Sequence, residues 1–240
     1  MARSVFLDID GVLTDHRLIH DDFSARMGEV LAPALGGTVE EWGRANAATF
    51  PQLFAESQRL GRPDETPAEV WEFEYRMSMH LMCDWLGRPR LSDEEAARLG
   101  RDYTVHVRRN TGALFAGAEA MTRSLAARHE LHLATGNPSW VADALLKRIG
   151  VRELIGFPCG PDLIGVSKRS DRFHSTLFEA VGVPASDAVV VDDDVRQLIH
   201  ARAAGAATVL VTLEPVEEGV ADAVVSDPSE VPDVIRALDG

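Results

Sequence analysis

Residues 5–15 read VFLDIDGVLTD, an apolar run that breaks at Asp8, Asp10 and Gly11. Side chains two positions apart share a face of a strand. Two carboxylates so placed repel each other unless the chain turns or a cation joins them. Gly11 offers the turn, which would let the acids aim differently. Taken alone, the pair is also what a strand end meeting solvent carries, so the rest of the chain has to decide.

Three further short apolar runs match the first: ELHLAT at 130–135, AVVVD at 188–192 and ATVLV at 207–211. Their length and β-branched content predict buried parallel strands. Helical spacing separates them. GAEAMTRSLAAR (117–128) precedes the second run and NPSWVADALLKRIG (137–150) follows it, with Asn137 as expected cap and Pro138 in the first turn. DRFHSTLFEAVG (171–182) and VRQLIHARAAG (195–205) each close on glycine, and ADAVVSDPSEVPDVIRAL (221–238) reads as a last strand and helix. Strand and helix in alternation imply an α/β fold, a Rossmann-like parallel sheet flanked by helices.

Residues 16–110 differ. They contain no comparable β-run, and PAEVWEFEYRMSMHLMCDWLG (67–87) is spaced for a helix. RLGRPDETP (59–67) is a turn-rich connection. The expected organisation is a core of 1–15 and 111–240 with a separate helical cap domain, 16–110, inserted after the first strand. His80 lies on a Met-rich stripe that reads as helix packing. Arg59, Arg62, Arg76, Arg101, Arg108 and Arg109 in the insertion include candidates for a substrate clamp.

The 240 residues carry a formal charge of −14, which argues against nucleic acid as a partner. Cys83 and Cys159 fit neither a metal spacing nor a disulfide framework, and a reduced setting is expected. The N-terminus lacks a signal-peptide pattern, and no stretch approaches the roughly 18 apolar residues of a spanning helix. A cytoplasmic location without membrane contact follows as the expectation.

In open parallel sheets, ligands gather at the carboxyl ends of the strands. Here those ends carry Asp8 and Asp10, Thr135, and the run Asp192-Asp193-Asp194, with Lys168 in a connection ahead of a helix. Clustered carboxylates raise one another's pKa, a conflict that a hard divalent cation resolves. Mg²⁺ suits a few carboxylate oxygens plus water and phosphate, and no His or Cys pattern points to zinc. Asp8 is then the candidate nucleophile, forming an aspartyl-phosphate. Asp10 is the candidate acid and base. Thr135 and the backbone near Gly136 would bind phosphoryl oxygens, and Lys168 would offset charge. Asp194 also reads as the cap of 195–205.

The pattern resembles the haloacid dehalogenase-like hydrolase superfamily, which consists largely of phosphatases. DIDGVLT matches its first motif, Thr135 in HLATGN the second, Lys168 in SKRSDRF the third, and Asp192-Asp193 in VVVDDD the fourth. The third departs from the common Lys-Pro, since Arg169 follows Lys168. Where many relatives carry a further acid, this chain has Gln197. The resemblance implies Mg²⁺-dependent hydrolysis of a small phosphorylated metabolite, with Asp8, Asp10 and Asp193 as metal ligands and the insertion as a helical cap. A phosphosugar mutase, a dehalogenase and a catalytically silent binding protein are the alternatives it leaves.

Overall fold

The computed structural model describes residues 3–57, 66–157 and 160–238. The expected turn at 59–67 falls mostly outside them, as do Arg59, Arg62 and Cys159. The chain folds as two compact units, Met1–His16 with Leu114–Gly240, and Arg17–Ala113. The junctions read from the sequence, 15/16 and 110/111, stand one and three residues from these.

The first unit is built on β1 (Ser4–Leu7). After the insertion come α6 (Ala118–Ala126), β2 (Glu130–Leu133), α7 (Ser139–Ile149), β3 (Ile155–Phe157), α8 (Pro161–Ile164) and α9 (Phe173–Val181). β4 (Ala188–Asp192), α10 (Val195–Ala204), β5 (Ala207–Val211), β6 (Ala223–Val225) and α11 (Val231–Leu238) complete it. The strands form one parallel sheet in the order β3-β2-β1-β4-β5-β6. β1 is central: Leu7 pairs with Leu133 of β2 on one side and with Val191 of β4 on the other. Strand order reverses at β1, so the carboxyl ends of β1, β2 and β4 border one crevice.

The strands read as unbroken apolar runs because both faces are covered. Val5, Leu7, Leu133, Val189 and Val191 face Met121 and Leu125 of α6, Leu145 of α7 and Ile235 of α11. Phe6, Val190 and Leu210 face Phe173 and Leu177 of α9 and Leu198 of α10. β3 has no counterpart among the expected strands. It is three residues at the sheet edge with a glycine in the middle, too short to show a pattern.

The second unit is helical: α1 (His16–Arg26), which begins at the junction, then α2 (Gly28–Leu35), α3 (Val39–Ser57), α4 (Pro67–Trp85) and α5 (Asp93–Asn110). Thr66 and Glu69 form a reciprocal capping box at the start of α4. The Met-rich stripe is core: Met79, Met82 and Cys83 pack with Met27, Leu31, Trp42 and Leu99. Three of the candidate clamp arginines are held within this unit. Arg101 bonds Glu72 at 2.6 Å, Arg76 lies 3.4 Å from Asp93, and buried Arg108 stacks over Phe23. Among the described residues, no helix is long and apolar enough to cross a membrane.

Candidate active site

β1 hands its hydrogen-bond ladder on to the site: the Asp8 N–H donates to the Val191 carbonyl at 2.9 Å. This holds Asp8 in the sheet, 6 % exposed, between β2 and β4. The chain then closes on itself. The N–H groups of Leu13 and Thr14 both donate to the Ile9 carbonyl, and that of Gly11 donates to the Thr14 carbonyl. The turn separates the two acids as their i, i+2 spacing in a straight strand could not.

Asp8 points into an acidic cluster. It, Asp192 and Asp193 each offer an oxygen, and the three lie within 4.8 Å of one another. Lys168 spans two of them, its Nζ 2.9 Å from Asp8 Oδ2 and 2.8 Å from Asp192 Oδ2. The other Asp192 oxygen accepts from the Asp194 N–H at 2.9 Å. Asp192 is therefore engaged at both ends, clamping the lysine and the loop after β4. Asp194 caps α10 by accepting from the Arg196 N–H, as the sequence suggests.

The Asp10 carboxylate lies elsewhere, at the mouth of the turn. Its Oδ1 accepts from the Thr14 hydroxyl at 2.8 Å and its Oδ2 from the Asn137 amide at 2.9 Å. Asn137, expected as the α7 cap, is thus put to another use. Pro138 stands at the cap position with no side-chain bond, and the Ser139 N–H donates to Asp162 of α8 instead. Asn137 also donates to the Thr135 hydroxyl, from its amide at 3.1 Å and its backbone at 3.2 Å. With its oxygen accepting, fully buried Thr135 keeps its proton for an outside acceptor. Gly136 is exposed and lies against the stem of Lys168, where an added Cβ would sit 3.7 Å from the lysine carbons.

The electrostatics record the crowding. Burial pushes the Asp8 carboxyl up to about 7; Asp192 and Asp10 add to the rise while Lys168 opposes it. Burial, followed by Asp8, pushes Asp193 up to about 6. Asp192 is also raised, by burial, against the pull of Lys168. Burial works against the Lys168 ammonium, but Asp192 and Asp8 outweigh it and hold its pKa above the ordinary lysine value. One lysine does not neutralise three acids. The donor set, all oxygen and short of positive charge, fits a hard divalent cation.

Two residues at the site carried no recognised signal as site groups. Asn137 looked like a helix cap. His16 carries no motif in the sequence, yet its Nδ1 lies 3.4 Å from Asp193 Oδ2.

Residues 2–205 match the family described as haloacid dehalogenase-like hydrolase. Over 142 residues the chain is 31 % identical to the phosphoglycolate phosphatase of Rhodospirillum rubrum, a stretch covering 57 % of this chain and 58 % of that relative. The chain thus spans under two thirds of the curated relative's length. Among solved structures, the HAD-hydrolase YfnB of Bacillus subtilis, bound to magnesium, superposes with a TM-score of 0.73 at 14 % identity, covering 98 % of this chain and 99 % of that one. A 2-haloacid dehalogenase from Pseudomonas syringae pv. Tomato DC3000 gives 0.68 at 19 % identity, covering 99 % and 100 %. At these identities the two structures establish a shared fold.

Proposed function

Because the chain belongs to the haloacid dehalogenase-like hydrolases, an enzyme family, we propose that it is a Mg²⁺-dependent phosphatase of small soluble phosphomonoesters. The reading is carried by one observation, the separation of Asp8 from Asp10. One acid faces Lys168 and the acidic cluster, and the other is held apart by Thr14 and Asn137. Hydrolysis through an aspartyl-phosphate uses two carboxylates with different tasks. Displacement of halide needs no general acid, because halide leaves without a proton, so an acid set apart to protonate a leaving group speaks for a phosphate ester.

Asp8 Oδ attacks phosphorus and the ester P–O bond breaks, leaving an aspartyl-phosphate. Asp10 gives its proton to the departing oxygen and becomes a carboxylate. It then takes a proton from the incoming water, whose oxygen attacks phosphorus and frees inorganic phosphate and Asp8. The Thr135 hydroxyl and the Gly136 N–H are the proposed donors to the phosphoryl oxygens. Lys168, fixed by Asp192, sets positive charge beside the nucleophile. Asp8 and Asp193 would hold the metal, with Asp10 the third ligand expected from the sequence. The ion would supply charge neutralisation on the transferring group. The Asp10 carboxylate lies outside the three-acid cluster, so its side chain is better placed for proton transfer than for ligation.

Phosphate release from an aryl phosphate, stimulated by Mg²⁺ and stopped by EDTA, is the expected result of the first assay. Phosphoglycolate and other small phosphorylated acids come next, on the strength of the R. rubrum relative. Halide release from 2-chloropropionate without metal would replace this reading with the dehalogenase. Isomerisation of a sugar phosphate primed by a bisphosphate would replace it with the mutase.

Asp10→Asn should act mainly on the second step. With an aryl phosphate the leaving group needs little help, so the first turnover survives, but water is no longer activated. The expected signature is a burst of about one phenol per chain, then turnover slowed roughly 10²–10⁴-fold, with acid-stable label on Asp8. Equal slowing of burst and steady state would contradict the assignment.

The cluster also sets a pH dependence. An acid whose folded pKa is raised contributes stability that is full below its unfolded value near 3.8 and lost as pH rises through about 6 to 7. Mg²⁺ binds the charged forms, so its stabilisation should grow over the same window. At 100-fold excess over Kd, ligand linkage amounts to about 2.7 kcal/mol, or roughly 5–10 °C in a chain of this size. Differential scanning fluorimetry should find that shift at pH 8 and little of it at pH 5. Asp193→Asn should lose it at both.

A further inference from the structure

We infer that Asn137 is a positioning residue for the acid–base step: its amide ties the Asp10 carboxylate to the Thr135 hydroxyl, so that the proton donor and the phosphoryl-binding donor are set as one unit. The inference deepens the phosphatase reading and rests on it. Asn137 Nδ2 carries two hydrogens and has an acceptor for each, Asp10 Oδ2 at 2.9 Å and Thr135 Oγ at 3.1 Å. Two acceptors bound to one NH₂ group stand about 5 Å apart. One phosphoryl group can bridge that span, taking the Thr135 proton in a hydrogen bond at a non-bridging oxygen and the Asp10 proton at the ester oxygen.

Three features free Asn137 for this task and hold it there. Asp162 serves the start of α7, accepting from the Ser139 N–H at 2.9 Å and from the Ser139 hydroxyl, so the Asn137 side chain is not spent as the helix cap. Pro138 confines the Asn137 backbone to extended conformations. The Asn137 N–H donates to the Thr135 hydroxyl oxygen at 3.2 Å, which anchors it to a fully buried residue. Asp10 has to be held both with and without its proton. Thr14 adapts to the change, since its hydroxyl lies 2.8 Å from Asp10 Oδ1 and 3.3 Å from the Ile9 carbonyl and can turn from one to the other. The amide nitrogen only donates, so Asn137 sets the orientation while Thr14 follows the proton. Without the amide, Asp10 keeps an adaptable partner and loses a fixed one.

The test compares p-nitrophenyl phosphate, whose phenolate leaves with little help, with butyl phosphate, whose alkoxide needs a proton. It reads kcat/KM in the presence of Mg²⁺, which reports the barrier up to cleavage of the ester. In Asn137→Ala the butyl value should fall about 10²-fold or more and the nitrophenyl value by less than about tenfold. Asn137→Asp, of the same shape with an acceptor in place of the donor, should lower the butyl-to-nitrophenyl ratio at least as far. Both esters are read on one preparation, so any loss of folded chain cancels from the ratio. Asp10→Asn is the benchmark: it should lower the ratio too, and adding Asn137→Ala to it should change the ratio no further. Equal slowing of both esters would reduce Asn137 to a structural residue, and wild-type rates in Asn137→Ala would make it a bystander; either overturns the inference, while a lowered ratio in Asp10→Asn leaves the phosphatase reading standing. If wild type hydrolyses neither ester, or Asp10→Asn keeps the wild-type ratio, the acid–base assignment itself fails and both readings go.

Discussion

Asp8→Asn is expected to remove phosphatase activity to background, a loss of at least about 10³-fold or roughly 4 kcal/mol in the barrier, while leaving the chain folded. Asparagine has nearly the shape of aspartate, and the backbone N–H that ties residue 8 to Val191 is untouched. What disappears is the nucleophilic oxygen. An amide does not form a phosphoenzyme, and the neighbouring acids are otherwise engaged: Asp192 with Lys168 and Asp194, Asp10 with Thr14 and Asn137, and Asp193 as the proposed metal ligand. Stability should move the other way. Burial already disfavours the Asp8 carboxylate, so deleting its charge relieves that cost above pH 7. Near-complete loss of turnover with an unchanged or raised metal-free melting temperature would separate a chemical role from a structural one. Residual turnover within tenfold of wild type would move the nucleophile elsewhere.

Much of this architecture was legible because a doubly covered parallel strand has no polar face to interrupt it. Val5-Phe6-Leu7 and Val189-Val190-Val191 are apolar at every position for that reason. β3 stayed hidden because three edge residues carry no periodicity. Asp8, Asp10, Lys168 and the run Asp192-Asp193-Asp194 stood out by residue type and strand ends, and the resemblance alone singled out Asp193, but the contacts that hold them could not be read. That Asp192 restrains Lys168, and that Asp10 stands outside the acidic cluster, depend on rotamers and on a turn closed by backbone bonds. Asn137 shows the difficulty: Asn before Pro is strong capping chemistry, and only the fold brings Asp10, 127 positions away in sequence, within reach of its amide. His16 gave still less to read, since its one informative neighbour lies at the far end of the chain.

The same turn makes Gly11→Ala damaging at a residue with no chemistry of its own. Gly11 has φ +86°, where an L side chain costs about 1–2 kcal/mol before any contact is counted. The added methyl would also lie 2.1 Å from Asp193 Oδ2, 2.2 Å from its Cγ and 2.6 Å from its Cβ. Non-bonded carbon needs about 3.5 Å, so the Asp193 carboxylate has to move by roughly 1 Å or more. Rotating the carboxylate clears Oδ2 and Cγ but not Cβ, so the backbone at Asp193 or the turn has to shift along with the side chain. Misplacement on that scale costs about 10²-fold in rate and carries away the Mg²⁺-induced thermal shift. Strain alone should lower the metal-free midpoint by roughly 2–8 °C. The informative comparison is with Asp193→Asn, which should also lose the metal effect, but without the strain. If Gly11→Ala bound Mg²⁺ like wild type, Asp193 would not be held where the turn leaves room for it, and its place among the ligands would fall.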